Sequence, residues 1–374
     1  MPDLPDPSPA RVLVVNAGSS SLKLAVLDRG GAVLAARTVE RWSRDDLAPL
    51  RALLDEAGGA DAVGHRVVHG GGRYEAPVLV DDAALAALDE TVALAPLHNP
   101  PALAAVRAVR EALPGVPAVA CFDTAFHATL PAAAATYALP RGLTERYGLR
   151  RYGFHGLSHA YAARRGAELA GRPLEDLRAV TCHLGAGASL AAVRGGRSVD
   201  TTMGFTPLEG LVMVTRSGTV DPGMLLWLLR QDGVDVDGLE RTLLRESGLA
   251  GLSGTSGDLR DVLAARDAGD DGAALAYDVF VHRLAREAAA MTAATGGLDL
   301  LVLTGGIGEH SAPVRRDLAA RLAHLGAAVD DAANDAAHGD AVVSPDGSPV
   351  AVAVVTARED LEIARQVREV VAAG

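Results

Sequence analysis

Several short runs in the chain combine glycine with groups that suit an anion. In Asn16-Ala17-Gly18-Ser19-Ser20-Ser21 the glycine lets the backbone approach a ligand, and successive N–H groups in such a turn form an anion-binding nest. The hydroxyls of Ser19 and Ser21 and the ammonium of Lys23 add donors, so phosphate is the ligand this run suits. A polar hairpin turn is the plainer alternative. A second run, Gly185-Ala186-Gly187, follows His183 closely. A third, Thr304-Gly305-Gly306-Ile307-Gly308-Glu309, comes after an apolar strand and before a helix, where a nucleotide would meet a helix N-terminus. Each of these also reads as a glycine-rich loop without a ligand.

Two arginines stand in comparable settings. Gly64-His65-Arg66-Val67-Val68-His69-Gly70 puts Arg66 at a strand end ahead of a glycine run, and Thr215-Arg216-Ser217-Gly218 puts Arg216 in a polar loop. Two such guanidiniums would clamp a phosphoryl group, although spacing alone does not pair them. Histidines 98, 127, 155 and 159 occupy loop-like runs, and Asp123 precedes His127 by four residues. No HExxH or CxxC pairing is present, which argues against a zinc site built on these residues. His127 and His159 read as buried structural histidines. With no G-x-S-x-G run, a serine hydrolase of that type is set aside.

The elements that must position these groups follow from apolar spacing. A strand is expected over Arg11–Asn16, a second from Ser21 to Asp28, and a third from Ala32 to Val39, so the first loop joins antiparallel strands. That excludes a Walker-type loop or a Rossmann fingerprint, which need a helix after the glycines. The pattern returns midway: strand Ala179–His183, loop, strand Ser189–Val193, a Gly-Gly turn, and strand Arg197–Val199. The echo suggests two copies of one α/β domain, each offering a hairpin loop to a shared cleft. Helical spacing is found over 45–56, 82–93, 101–113, 158–170, 222–231, 236–246, 258–267, 273–295, 312–325 and 359–372. Strands are further expected over 299–303 and 348–356. This is mixed α/β architecture.

At 374 residues the chain is long enough for two domains with proper cores. A hydrophobic fraction of 49% excludes a disordered chain, and a net charge of −12 without a basic tract argues against nucleic acid as a partner. With 2 Cys there is no disulfide framework, which fits a reducing compartment. The Pro-rich run 1–9 lacks the features of a signal peptide and reads as a frayed leader, and no segment approaches the ~20 apolar residues of a membrane span. A cytoplasmic protein is expected.

Taken in order, the motifs resemble the acetate kinase family: VNAGSSSLK at 15–23, GHRVVHGG at 64–71, APLHNPP at 95–101, FDTAFH at 122–127, RYGFHGLSH at 151–159, TRSG at 215–218, DLRD at 258–261 and GGIGE at 305–309. The resemblance spans nearly the whole chain. It implies two duplicated ribonuclease H-like (actin-like ATPase) domains, residues 1–127 with 360–374 and residues 128–359, with an interdomain active-site cleft. It further implies a homodimer and reversible phosphoryl transfer from ATP to acetate, giving acetyl phosphate and ADP, with Mg2+ or Mn2+. Carried over by position, Arg66 and Arg216 hold the carboxylate and the transferring phosphoryl group, Asp123 orients the reactants or the metal, and His155 donates to the equatorial oxygens. Asn16 and Glu359 serve the metal. Val68, Leu97, Phe154 and Pro207 form the methyl pocket. Ser19, Ser21 and Lys23 belong to the first phosphate loop, and His183, Gly185 and Gly187 to the second. Asp258, Leu259, Arg260, Gly306 and Ile307 hold the adenosine.

Three positions depart from the family pattern. Ala186 replaces the Asn of the second phosphate loop, Thr219 stands where Asp usually follows TRSG, and His310 stands where Asn usually follows GIGE. The segment between Asp28 and His65 is short for the family. A propionate- or butyrate-preferring acyl kinase is the neighbouring reading, and a catalytically weak nucleotide-binding sensor the contrasting one.

Overall fold

The computed structural model describes residues 8–18, 21–43 and 46–373. Within them the strands form two six-stranded sheets. Strands β1 (Val12–Ala17), β2 (Ser21–Leu27), β3 (Val33–Glu40), β4 (Ala62–Val67), β5 (Val78–Leu79) and β6 (Ala118–Phe122) run in the order 3-2-1-4-6-5. Strands β7 (Arg178–Leu184), β8 (Ala188–Arg194), β9 (Arg197–Thr201), β10 (Leu300–Thr304), β11 (Ala341–Val342) and β12 (Ala351–Val354) run in the order 11-12-10-7-8-9. Read from the other edge, the second order is the first with every label raised by six.

The pairing sense agrees as well. In each sheet the first three strands are an antiparallel meander, the central pairs are parallel, and the short outer strand is antiparallel. Both second strands carry a register shift, at Val26/Leu27 and at Ala192/Val193. Counted from the hairpin loops, these two irregularities fall at the same place, so the duplication extends to the register. Lys23 therefore corresponds to Ser189. The Ser-Leu dipeptides that carry the echo in sequence are two places out of step, because the second loop is tighter.

The chain groups into two units, residues 1–128 with 156–161 and 358–374, and residues 129–155 with 162–357. In unit one, alternation along β1 sends Leu13 and Val15 to one face and Val12 and Val14 to the other. The first face packs on Leu50 and Leu53 of the helix Ala48–Ala57 and on Leu103 and Val106 of the helix Asn99–Ala112. The second packs on Ile363 and Val367 of the helix Glu359–Ala373. That helix lies so close to β4 that a Cβ on Gly64 would overlap Ile363 Cγ2. Residues 156–161 join this unit because the Gly156 N–H donates to Asp123 O at 2.8 Å and Leu157 packs beside Cys121.

In unit two the helix Asp271–Thr295 packs against β7, β8 and β9. Its N-cap Asp270 accepts from Ala273 N, and Gly296 closes it in the left-handed conformation. Sequence places the glycines after β10 in a loop, but residues 305–310 are themselves helical. The cause is tertiary. Gly305 has φ +77°, and a Cβ there would lie 2.8 Å from the Leu184 carbonyl oxygen, so the turn closes directly onto β7. The remaining expected helices are found with ends shifted by a few residues. Residues 312–325 divide into the helix Ala312–Arg321 and a 3-10 turn at Ala323–Leu325, and the last expected strand shortens to β12.

Candidate active site

Three parallel strands of unit one end at one level. Val15 pairs with His65, and Arg66 pairs with Cys121, so Asn16, Arg66 and the segment after β6 are neighbours at the strands' carboxyl ends. This is where open α/β sheets bind ligands. Asp123 follows β6 directly, its N–H donating to Val67 O at 3.2 Å. Its carboxylate accepts two bonds from Arg66, Nε to Oδ1 at 2.9 Å and Nη2 to Oδ2 at 2.6 Å. The other guanidinium nitrogen, Nη1, reaches Asn16 Oδ1 at 3.4 Å and Glu359 Oε2 at 3.7 Å. Burial opposes the Arg66 charge, but Asp123 and Glu359 outweigh it and hold the guanidinium above its ordinary value. Arg66 thus cannot swing, while one-fifth of its side chain stays exposed.

The run expected to form the first phosphate loop begins beside this group, directly after Asn16. Gly18 N–H donates to Ser21 O at 2.8 Å, and Lys23 pairs directly opposite Asn16 with its side chain exposed. Ser19 lies outside the described residues. Val68 is half-buried two residues past Arg66, and Leu97 is exposed ahead of the helix Asn99–Ala112. His127 and His159 are fully buried and pack edge to face at 5.7 Å, as expected of structural histidines.

Unit two holds a second polar group, built on His155, His183 and Arg216. His155 adopts φ +57°, a left-handed conformation uncommon outside glycine, at the start of the helix Gly156–Leu169. Its ring stacks on His183 with centroids 4.3 Å apart, and its Nδ1 lies 2.9 Å from Ser189 Oγ. A Cβ on Gly187 would stand 3.4 Å from His155 Nε2 and 3.6 Å from Arg216 Nη1. The absence of a side chain at Gly187 therefore leaves a space that the His155 ring and the Arg216 guanidinium both border. Arg216 Nη1 also donates to Pro207 O at 3.2 Å, which ties one residue expected at the methyl pocket to the arginine, while Phe154, another, is buried next to His155. Arg216 has no carboxylate partner among the described residues, and burial holds it below its ordinary value. A half-buried guanidinium without a counterion favours binding an anion.

The same unit contains a cavity of about 830 Å3, a size suited to a nucleotide. Six of the residues expected at the adenosine and second phosphate loop line it: Gly185, Asp258, Leu259, Arg260, Gly306 and Ile307. Asp258 caps the helix Leu259–Asp267 by accepting from Arg260 N, and its carboxylate takes two bonds from the Arg260 side chain at 2.9 and 2.6 Å. Those bonds hold Asp258 down at about 2. The buried Arg315 fixes the glycine turn by donating to the carbonyls of Gly308 and Glu309.

Two of the departures, Ala186 and His310, line this cavity. Thr219 does not. Its N–H and Oγ1 exchange hydrogen bonds with Gly210, both at 3.0 Å, which closes a loop. Sequence reading passed over Ser189, Ser256 and Ser311. Only Ser189 carried a signal, its place opposite His183 in the β7–β8 hairpin.

Duplicated sheets with ligand-facing hairpin loops are the architecture of the actin-like ATPase class. Within that class, a sequence model described as the acetokinase family matches residues 50–365. A Synechococcus protein named acetate kinase is 54% identical over 312 residues, covering 83% of this chain and 77% of that one. The crystal structure of Porphyromonas gingivalis acetate kinase superposes with a TM-score of 0.91 at 35% identity, covering 96% of this chain and 99% of that one. A propionate kinase structure from Francisella tularensis gives a TM-score of 0.88 at 35% identity, covering 96% and 98%. The chain belongs to the acetokinase family.

Proposed function

We propose that this protein transfers the γ-phosphoryl group of ATP reversibly to acetate, giving acetyl phosphate and ADP. The observation that carries the reading is the Arg66–Asp123–Asn16–Glu359 cluster at the strand ends of an acetokinase-family chain. Acetate is already ionised at neutral pH, so no general base is needed. One carboxylate oxygen attacks the γ-phosphorus. A new O–P bond forms as the bond to the β-phosphate oxygen breaks, and that electron pair leaves with ADP. The transition state asks for in-line positioning and positive charge around the equatorial oxygens. Arg66, Arg216 and the Nε2–H of His155 supply that charge. Both oxygens of Asp123 are engaged by Arg66, so its work is orientation.

The adenosine sits with Asp258, Leu259, Arg260, Gly306 and Ile307. Its phosphates meet the second phosphate loop of His183, Gly185 and Gly187, and Ser19, Ser21 and Lys23 belong to the first. Val68, Leu97, Phe154 and Pro207 cover the methyl group.

The oxygen donors Asn16 Oδ1 and Glu359 Oε2, both within 4 Å of one guanidinium nitrogen, fit a hard divalent cation. Mg2+ takes one or two protein ligands and completes its shell with water and phosphate oxygens, which suits so small a donor set. Bound there, Mg2+ or Mn2+ would offset the charge of the phosphates.

Two further assignments support a working picture. The helices Pro222–Leu228 and Val236–Arg245 bury none of their residues, and Leu226, Trp227 and Val236 are more than half exposed. Apolar exposure of this kind fits a homodimer face, and loss of the dimer in Trp227→Glu, read by sedimentation, tests it. Cys121 and Cys182 are buried free thiols, which fits the cytoplasm.

The deciding experiment is ATP- and Mg2+-dependent acyl phosphate formation, trapped with hydroxylamine, across formate, acetate, propionate and butyrate. Acetate should give the highest kcat/KM. A peak at propionate favours the second reading, for which the Francisella likeness speaks, because one methylene is worth only about 1–3 kcal/mol in an apolar pocket. Silence with all four, in protein that still binds ATP, overturns both in favour of a sensor.

A further inference from the structure

Ser189 is fully buried on β8, where it pairs across the hairpin with His183. These two cross-strand neighbours hold the same third residue. The His183 ring lies against the face of the His155 ring, and Ser189 Oγ meets the ring edge at Nδ1, 2.9 Å away. The other ring nitrogen, Nε2, lies 3.4 Å from where a Cβ on Gly187 would stand, and Arg216 Nη1 lies 3.6 Å from the same point.

The choice of nitrogen matters chemically. A neutral imidazole has one N–H donor and one bare nitrogen. To donate to a phosphoryl oxygen from Nε2, the ring must keep its proton there and leave Nδ1 as an acceptor. A serine hydroxyl that donates to Nδ1 selects that tautomer.

We propose that Ser189 is a positioning residue for His155: its hydroxyl donates to Nδ1 and fixes the ring as the Nε2–H tautomer facing the space over Gly187. This rests on the reading in which His155 donates to the transferring phosphoryl group. Ser189 touches no substrate. It acts by keeping the proton on the nitrogen that does. The corresponding place in the other sheet is held by the exposed Lys23, so duplication has left a charge at one loop and a buried hydroxyl at the other.

The test is a double-mutant cycle of Ser189→Ala and His155→Ala, with Ser189→Thr as the variant that keeps the hydroxyl. Ser189→Ala should lower kcat about tenfold, the worth of one hydrogen bond, with KM for ATP unchanged. Ser189→Thr should restore most of it. In the His155→Ala background, Ser189→Ala should cost nothing further. Nitrogen-15 spectra of the histidines at neutral pH should show His155 as the Nε2–H form in the wild type and as a tautomer mixture in Ser189→Ala. An unchanged kcat in Ser189→Ala, equal losses in both backgrounds, or an unaltered tautomer overturns the proposal while leaving the His155 role standing. Full activity in His155→Ala removes the underlying reading instead.

Discussion

Arg66 and Thr304 occupy the same position in the two sheets. Each stands at the carboxyl end of a central strand, one place past the pairs Val15↔His65 and Cys182↔Leu303. Thr304 itself pairs with His183, as Arg66 lies level with Asn16. The relationship extends sideways, since Asp123 after β6 corresponds to Ala357 after β12. One copy therefore gathers an amide, a guanidinium and a carboxylate at its strand ends. The other presents an imidazole, a hydroxyl and a methyl group there, and bears a large cavity beside them. The same scaffold has been given two electrostatic characters, one suited to a reacting group and one to a nucleoside.

The Asp123 carboxylate is nearly fully buried, and its two-point pair sets the direction of Arg66. Asp123→Asn keeps the shape but removes the charge that holds the guanidinium. We expect kcat to fall by about two orders of magnitude or more, with ATP binding retained, because misplaced charge at a transition state is costly. Steady-state kinetics beside calorimetric ATP titration checks this; a kcat within a factor of a few of wild type sinks the assigned role.

Ala186 borders the cavity at a position where the family carries an amide. Ala186→Asn should lower the KM for ATP about tenfold, the worth of one hydrogen bond to a charged group. A KM that stays level or rises means that another group already fills that place.

Glycines 187 and 305 should separate activity from stability. A Cβ on Gly305 meets the Leu184 backbone at 2.8 Å at a φ of +77°, so Gly305→Ala should destabilise unit two by about 1–3 kcal/mol. At Gly187 the added methyl makes ordinary contact at 3.4 Å but enters the space beside His155 and Arg216. Gly187→Ala should therefore keep its melting temperature and lose kcat. The reverse pattern would be incompatible with a reacting group over Gly187.

His65, next to Arg66 but fully buried, is held down to about 3 by burial, and its Nε2 has no hydrogen-bond partner among the described residues. The unfolded chain takes up a proton near 6.5, which the folded ring refuses. Stability is thus unaffected above pH 6.5 and declines between 6.5 and 3, by about 1.4 kcal/mol per pH unit from this residue. Urea midpoints for wild type and His65→Leu across that range should differ in slope, the variant being flatter. Parallel slopes would refute the assignment.

The apolar strands were readable because each is a Val/Leu run bounded by glycine, and β1 and β2 fall within a residue of expectation. The adenosine residues were readable too, since local motifs mark Asp258 and Gly306 and the fold then brings them to one cavity. What stayed hidden depends on contacts distant in the chain. Gly305–His310 reads as a loop until the Leu184 backbone is known to press on it. The bond between His155 and Ser189 joins residues 34 apart in sequence, and no spacing rule connects them. Nor does a histidine advertise a positive φ.

The helix Glu359–Ala373 gives the protein an order of assembly. It follows all of unit two in the chain, yet it covers Val12, Val14 and Cys121 of the first sheet and brings Glu359 to Arg66. A nascent chain therefore carries its first sheet with one face bare while all of unit two is synthesised. Such surface invites misassembly until it is covered. Unit two can finish folding first; unit one, although most of it precedes unit two, closes its core and completes its charged cluster only once this helix has been made.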